Sequence, residues 1–172
     1  VNMTTPSIFE KYPDIKALSG ATFDELFPLI KSISYPNNKT KHLIGMAQKV
    51  MQNFDGKIPA TVEELMQLPG VGRKNANVIT SVIYQQPNMA VDTHVFRVAA
   101  RIGLTINAKT PLQTEQQLIK NIPREKIHRA HDWLIVHGRY VCVARNPKCE
   151  VCGLRPVCKY FKTVIEPGYK KK

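Results

Sequence analysis

Three groups of side chains in this sequence have types and spacings that could carry chemistry. The first is a lysine. In "LPGVGRKNA", Leu68 to Ala76, Lys74 follows a proline and two glycines and opens a helix-like run. An unprotonated lysine amine is a nucleophile that can form a Schiff base. In the first turn of a helix, Lys74 would feel the positive end of the helix and Arg73 beside it. Both disfavour the ammonium form, and partial burial would add to them. A phosphate contact and a solvated surface charge are the rival roles for the same residue.

The second group is "AVDTHVFRVAARIG". Asp92 stands where an N-cap would stand, with Val95, Val98, Ala99 and Ile102 spaced to face a core. Capping alone is the structural reading. A cap also has a chemical consequence, because N–H donors keep a carboxylate ionised. An ionised carboxylate near the Lys74 amine could stabilise a cationic transition state. His94 and Arg97 read as phosphate contacts or structural polar groups rather than as catalysts.

The third group is Cys142-x6-Cys149-x2-Cys152-x5-Cys158, which holds all four cysteines of the chain. A secreted disulfide scaffold would spread its cysteines along the sequence. This clustering points instead to a metal site in a reducing compartment. Four thiolates can hold tetrahedral zinc or an iron–sulfur cluster, and the spacing alone leaves that choice open. The first loop, "VARNPK", carries Arg145 and Lys148, which are candidates for phosphate contact.

The elements that must position these groups read as all-α. Thr22-Phe-Asp-Glu25 and Thr61-Val-Glu-Glu64 have capping-box form. The first opens a helix to about Ile33, the second a short one to about Gln67. Leu43, Ala47, Val50, Met51 and Phe54 form one apolar stripe at helical spacing. A helix is expected from Arg73 to Tyr84, ended by "QQPN", the best candidate domain junction. Another runs from Asp92 to about Ile102. Thr110-Pro-Leu-Gln113 combines a cap with Pro at the first helical position, and a longer helix spans about Arg124 to Tyr140. "ELMQLPGVGRKNANVI" is then helix, tight turn, helix. Gly70 and Gly72 allow positive φ and close backbone approach. The start of the second helix offers outward N–H groups, an anion site suited to a DNA phosphate and blind to sequence. A plain connection between core helices is the alternative. The terminal "YKKK" reads as a frayed, solvated tail.

Composition agrees with a nucleic-acid partner. The chain has 172 residues, 43% of them hydrophobic, and 25 Lys+Arg against 13 Asp+Glu give a net charge of +12. Such an excess favours a polyanion, nucleic acid before membrane surface. There is no run of about 18 apolar residues for a membrane span, and no signal-peptide pattern in the sequence as given, which does not begin with Met and leaves an upstream segment open.

Together, "LPGVGRKNAN", "VDTHVFRV" and "HGRYVCVARNPKCEVCGLRPVC" resemble the endonuclease III family of helix-hairpin-helix DNA glycosylases, over nearly the whole chain. The resemblance implies two α-helical domains flanking a DNA-binding cleft. Residues 1–86 would be a six-helix-barrel domain carrying the hairpin, incomplete at its N-terminus. Residues 87–172 would be an iron–sulfur domain, with a [4Fe-4S] cluster held by Cys142, Cys149, Cys152 and Cys158. It implies a bifunctional glycosylase and abasic-site lyase acting on double-stranded DNA with oxidised pyrimidines, such as thymine glycol, or abasic sites. Lys74 matches the family's catalytic lysine and Asp92 its catalytic aspartate. Leu68, Gly70, Gly72, Arg73, His94, Arg97, Arg145 and Lys148 are the expected DNA-binding positions. A monomer without membrane association is implied, cytoplasmic and nucleoid-associated in a bacterium, nuclear or mitochondrial in a eukaryote.

The chain departs from the family pattern in places. Asn75 stands where Thr is common, and Asn146 replaces a frequent basic residue, which would weaken one phosphate contact. The family usually has a few dozen residues before "VNMTTPSIF", including a segment that probes the gap left by a flipped base. Two other readings compete. An adenine-mismatch glycosylase of the same superfamily lacks the lysine and usually adds a C-terminal domain. A non-catalytic DNA-binding iron–sulfur module rests only on the missing upstream segment.

Overall fold

In the computed structural model, which describes residues 3–169, the chain is helical and divides into two compact units, Val1–Ala76 and Asn77–Lys172. The units part inside one helix, ahead of the "QQPN" break. The division at 86/87 stands as a proposal for two folding domains.

The first unit contains α1 (Thr5–Lys11), α2 (Ile15–Ser19), α3 (Phe23–Ile30), α4 (Pro36–Asn53) and α5 (Val62–Leu65), and it holds the start of α6 (Arg73–Val82). The Thr22 box is present: Glu25 Oε2 accepts from the Thr22 N–H at 3.0 Å and from its hydroxyl at 2.8 Å. These bonds, the backbone one foremost, hold the Glu25 carboxyl below its ordinary pKa. Helix α3 stops at Ile30 rather than Ile33, because the chain tightens into an Ile33 N–H to Ile30 C=O turn. Ala47 and Val50 of the α4 stripe are fully buried. Tyr12, Ala21 and Leu26 form a core with Leu43 and Ile44 packed against it. Among the described residues of this unit, α1 and α2 lie outside the helices expected from the sequence. Both α1 and α2 are too short for apolar periodicity to register.

The second unit is built on α7 (Thr93–Ile102), α8 (Pro111–Asn121) and α9 (Ile127–Tyr140). Thr110 caps α8, its Oγ1 accepting from the Gln113 N–H at 3.2 Å. The expected 124–140 helix begins as a 3₁₀ turn, Arg124–Lys126, before α9. Val95, Val98 and Ala99 of α7 meet Ala130 and Leu134 of α9 and Leu118 of α8 in one core. Gly138 permits this approach. A Cβ there would lie 2.9 Å from Val98 Cγ2 and 3.0 Å from His94 Cβ. Most of the "YKKK" tail, residues 170–172, lies outside the described residues. Among the described residues, no helix is long and apolar enough to cross a membrane.

Candidate functional site

Local turn chemistry builds the hairpin in the first unit. The Leu68 C=O accepts from the Val71 N–H at 3.1 Å, Pro69 follows Leu68, and Gly70 has φ +78°. Pro at the second position and a positive-φ Gly at the third define a type II turn. The Gly72 C=O then accepts from the Ala76 N–H at 3.0 Å and opens α6. The turn rests on one face of α4. A Cβ at Gly70 would lie 2.8 Å from His42 Cβ, Gly45 backs onto Pro69, and Lys49 Nζ donates to the Gln67 C=O at 2.8 Å.

Two expectations change here, at Gly72 and Lys74, and the backbone-only contact expected of Leu68 does not. Only Gly70 uses positive φ; Gly72 does not, and its missing side chain faces open space. The Leu68 side chain is buried, so contact with DNA from that position is left to its backbone. Lys74 is exposed beside exposed Gly72 and Arg73, not partly buried.

Asp92 is the N-cap of α7. Its backbone is extended, φ −101° and ψ −174°, and Oδ1 accepts from the Val95 N–H at 2.8 Å. One turn on, Arg97 faces the end of α9. Its Nε donates to the Cys142 C=O at 3.1 Å, its Nη2 to the Gly138 C=O at 2.8 Å, and Nη2 lies 3.2 Å from His94 Nδ1. These bonds match the structural one of the two roles expected for Arg97; its phosphate contact stands as a proposal. The guanidinium is a structural clamp from α7 to α9, with His94, half-buried, against it.

The four cysteines line one small cavity with His137 and Tyr160. Burial, then the Cys142, Cys152 and Cys158 thiols, push the Cys149 thiol pKa up, and Arg101 opposes them. Arg101 went unnoticed in the sequence, since its partners lie some forty positions away. It donates through Nη1 to the Val143 C=O at 2.7 Å and through Nη2 to the Ala144 C=O at 2.9 Å, and its guanidinium stacks on Tyr160 at 4.7 Å. His137 Nε2 lies 3.7 Å from Cys152 Sγ, and burial lowers the His137 pKa.

Among the described residues, no three His, Cys, Asp or Glu side chains converge on a single-ion site. Four thiols lining one cavity are the donor set that a [4Fe-4S] cluster takes. A cluster distributes its thiolates over separate irons. Arg145 and Lys148 are exposed on the loop between the first two cysteines. Asn146 between them has φ +50°, a left-handed conformation that Asn adopts more readily than Lys or Arg.

Comparison with known proteins finds relatives over most of the chain. The model of HhH-GPD superfamily base excision DNA repair proteins matches residues 1–124, and that of the iron-sulfur binding domain of endonuclease III matches residues 142–158. Endonuclease III of Rickettsia felis is 42% identical over 96% of this chain and 77% of its own length. The Bacillus subtilis protein of that name is 38% identical over 100% of this chain and 78% of its own length. A trapped endonuclease III–DNA covalent intermediate, an estranged-adenine complex, matches with a TM-score of 0.87 at 38% identity, covering 94% of this chain and 76% of that one. A non-covalent endonuclease III–DNA complex matches with a TM-score of 0.88 at 36% identity, covering 96% and 77%.

Proposed function

The chain belongs to the endonuclease III family of HhH-GPD base excision DNA repair proteins, and on that footing we propose that it removes oxidised pyrimidines from duplex DNA through a Schiff base on Lys74. It is a bifunctional DNA glycosylase and abasic-site lyase that carries a [4Fe-4S] cluster. The finer reading concerns substrate, residues and steps.

The observation that carries it is the exposed Lys74 in the first turn of α6, directly behind a type II turn, in a chain 38% identical to a protein captured covalently on DNA. The turn and the start of α6 would hold a phosphate through backbone N–H groups, with the open space at Gly72 admitting it closely. The target nucleotide must leave the stack, because its C1′ is out of reach inside a duplex.

The neutral Lys74 amine then attacks C1′. The N-glycosidic bond breaks, and its electron pair and a proton leave with the base. The sugar ring opens at the C1′–O4′ bond to give an imine between Nζ and C1′. Loss of a C2′ proton forms a C2′–C3′ double bond and expels the 3′ phosphate. This is β-elimination, and it cuts the strand 3′ to the lesion. Water releases the lysine.

Asp92 would act on the first step. One oxygen is engaged by the Val95 N–H, which fixes the carboxylate and leaves the other oxygen to stabilise positive charge growing on the sugar. Cys142, Cys149, Cys152 and Cys158 would hold the cluster. When bound, it would supply four bonds that cross-link the 142–158 loop, which carries Arg145 and Lys148.

The test is incision of duplexes carrying thymine glycol, an abasic site, or adenine opposite guanine. Cleavage of the first two is expected. Excision of the mismatched adenine without action on thymine glycol would overturn the substrate assignment.

A further inference from the structure

Asp92 ends an irregular stretch, residues 85–92, that has no helix of its own to hold it. Side chains from neighbouring helices pin it. Asn88 Nδ2 donates to Thr80 Oγ1 at 2.7 Å. Asn77 Nδ2, from α6, donates to the Met89 C=O at 3.1 Å. His131 Nδ1, from α9, is 2.8 Å from the Ala90 C=O, so that ring nitrogen carries the proton and donates. Met89, Ala90 and Val91 are all buried. Two consecutive carbonyls ahead of Asp92, those of Met89 and Ala90, are therefore each held by a side chain from a neighbouring helix.

The Asn77 contact is the deepest of these. Asn77 is 1% exposed, and the same Nδ2 donates its other hydrogen to Glu115 Oε2 of α8 at 2.9 Å. An amide NH₂ has two donors, and both are used. Glu115 is nearly buried, 6% exposed, on α8. A buried carboxylate is costly to keep, and a hydrogen-bonded one fixes its partner tightly.

We propose that Asn77 and Glu115 form a positioning pair for Asp92: Glu115 orients the Asn77 amide, which holds Met89 and so sets where the Asp92 carboxylate stands. The inference rests on the reading of Asp92 as the stabilising carboxylate. Catalytic geometry tolerates little slack, since a displacement of about 1 Å can cost ~10²-fold in rate. The pair would thus act on the excision rate constant and not on DNA affinity.

The experiment is single-turnover excision of thymine glycol by the full chain, with DNA Kd and melting temperature measured for each variant. Asn77→Ala and Glu115→Ala should each lower the rate constant about 10- to 100-fold with Kd unchanged. Glu115→Gln keeps an acceptor oxygen and should stay within about threefold of the parent. Combined with Asp92→Asn, Asn77→Ala should add little further loss, because the group it positions is already disabled.

Multiplicative losses in the double variant, or a normal rate constant in either alanine variant, would overturn the proposal. So would equal losses in Glu115→Gln and Glu115→Ala. Should Asn77→Ala not fold, the Glu115 comparison decides alone. Failure of the Asp92 reading is a separate result, seen as normal excision by Asp92→Asn alone.

Discussion

Arg101 Nη1 lies 3.5 Å from Cys142 Sγ, and the Arg101 carbonyl accepts in turn from the Cys158 thiol at 3.5 Å. One α7 residue thus touches the first and last cysteines of the set. Its guanidinium also holds the two carbonyls that follow Cys142 and offsets the negative charge of thiolates. Arg101→Leu should destabilise the chain by about 2 kcal/mol, the worth of hydrogen bonds to a charged group. Visible absorbance of the cluster should also bleach faster in air. Unchanged melting and bleaching would reduce Arg101 to a bystander.

The two hairpin glycines should separate stability from binding. Gly70 combines positive φ with His42 Cβ 2.8 Å from any added Cβ. Gly70→Ala should cost more than about 1 kcal/mol. Gly72 needs neither allowance in the free protein, so Gly72→Ala should cost within about 0.5 kcal/mol. Its DNA binding should nevertheless weaken, because the added methyl occupies space a phosphate would approach. Chemical melts and DNA titrations on both variants check this, and normal affinity in Gly72→Ala would remove the phosphate from that position.

Asp92→Asn keeps a side-chain oxygen for the Val95 N–H but removes the charge. Stability should fall by at most about 1 kcal/mol. Excision should fall by ~10²–10³-fold, the scale of a lost electrostatic stabiliser. If the Asp92→Asn variant melts normally and excises normally, Asp92 is a cap alone.

The sequence was most legible where chemistry is local. The Thr61, Asp92 and Thr110 caps, the Pro-Gly turn and the α4 stripe each fix a backbone within a few residues, and they appear as expected. Asp14 carried the same signal, accepting from the Ala17 N–H at 2.7 Å, but α2 behind it is only five residues long. What stayed hidden is long-range. Arg97, Arg101, Asn77 and Glu115 look like ordinary helix residues until α8 and α9 fold back against them. The helix ends at Ile30, Leu65 and Val82 were each placed two or three residues too far. Tight turns and a left-handed Gln85 end them, not a change in hydrophobic pattern.

The central claim is that Lys74 is the Schiff-base nucleophile. It is tested most directly by borohydride trapping on duplex DNA with an abasic site, comparing the parent chain with Lys74→Gln. The parent should give a covalent protein–DNA adduct, and the variant should bind the same DNA without forming one. Trapping at the parent's level in Lys74→Gln would contradict the account.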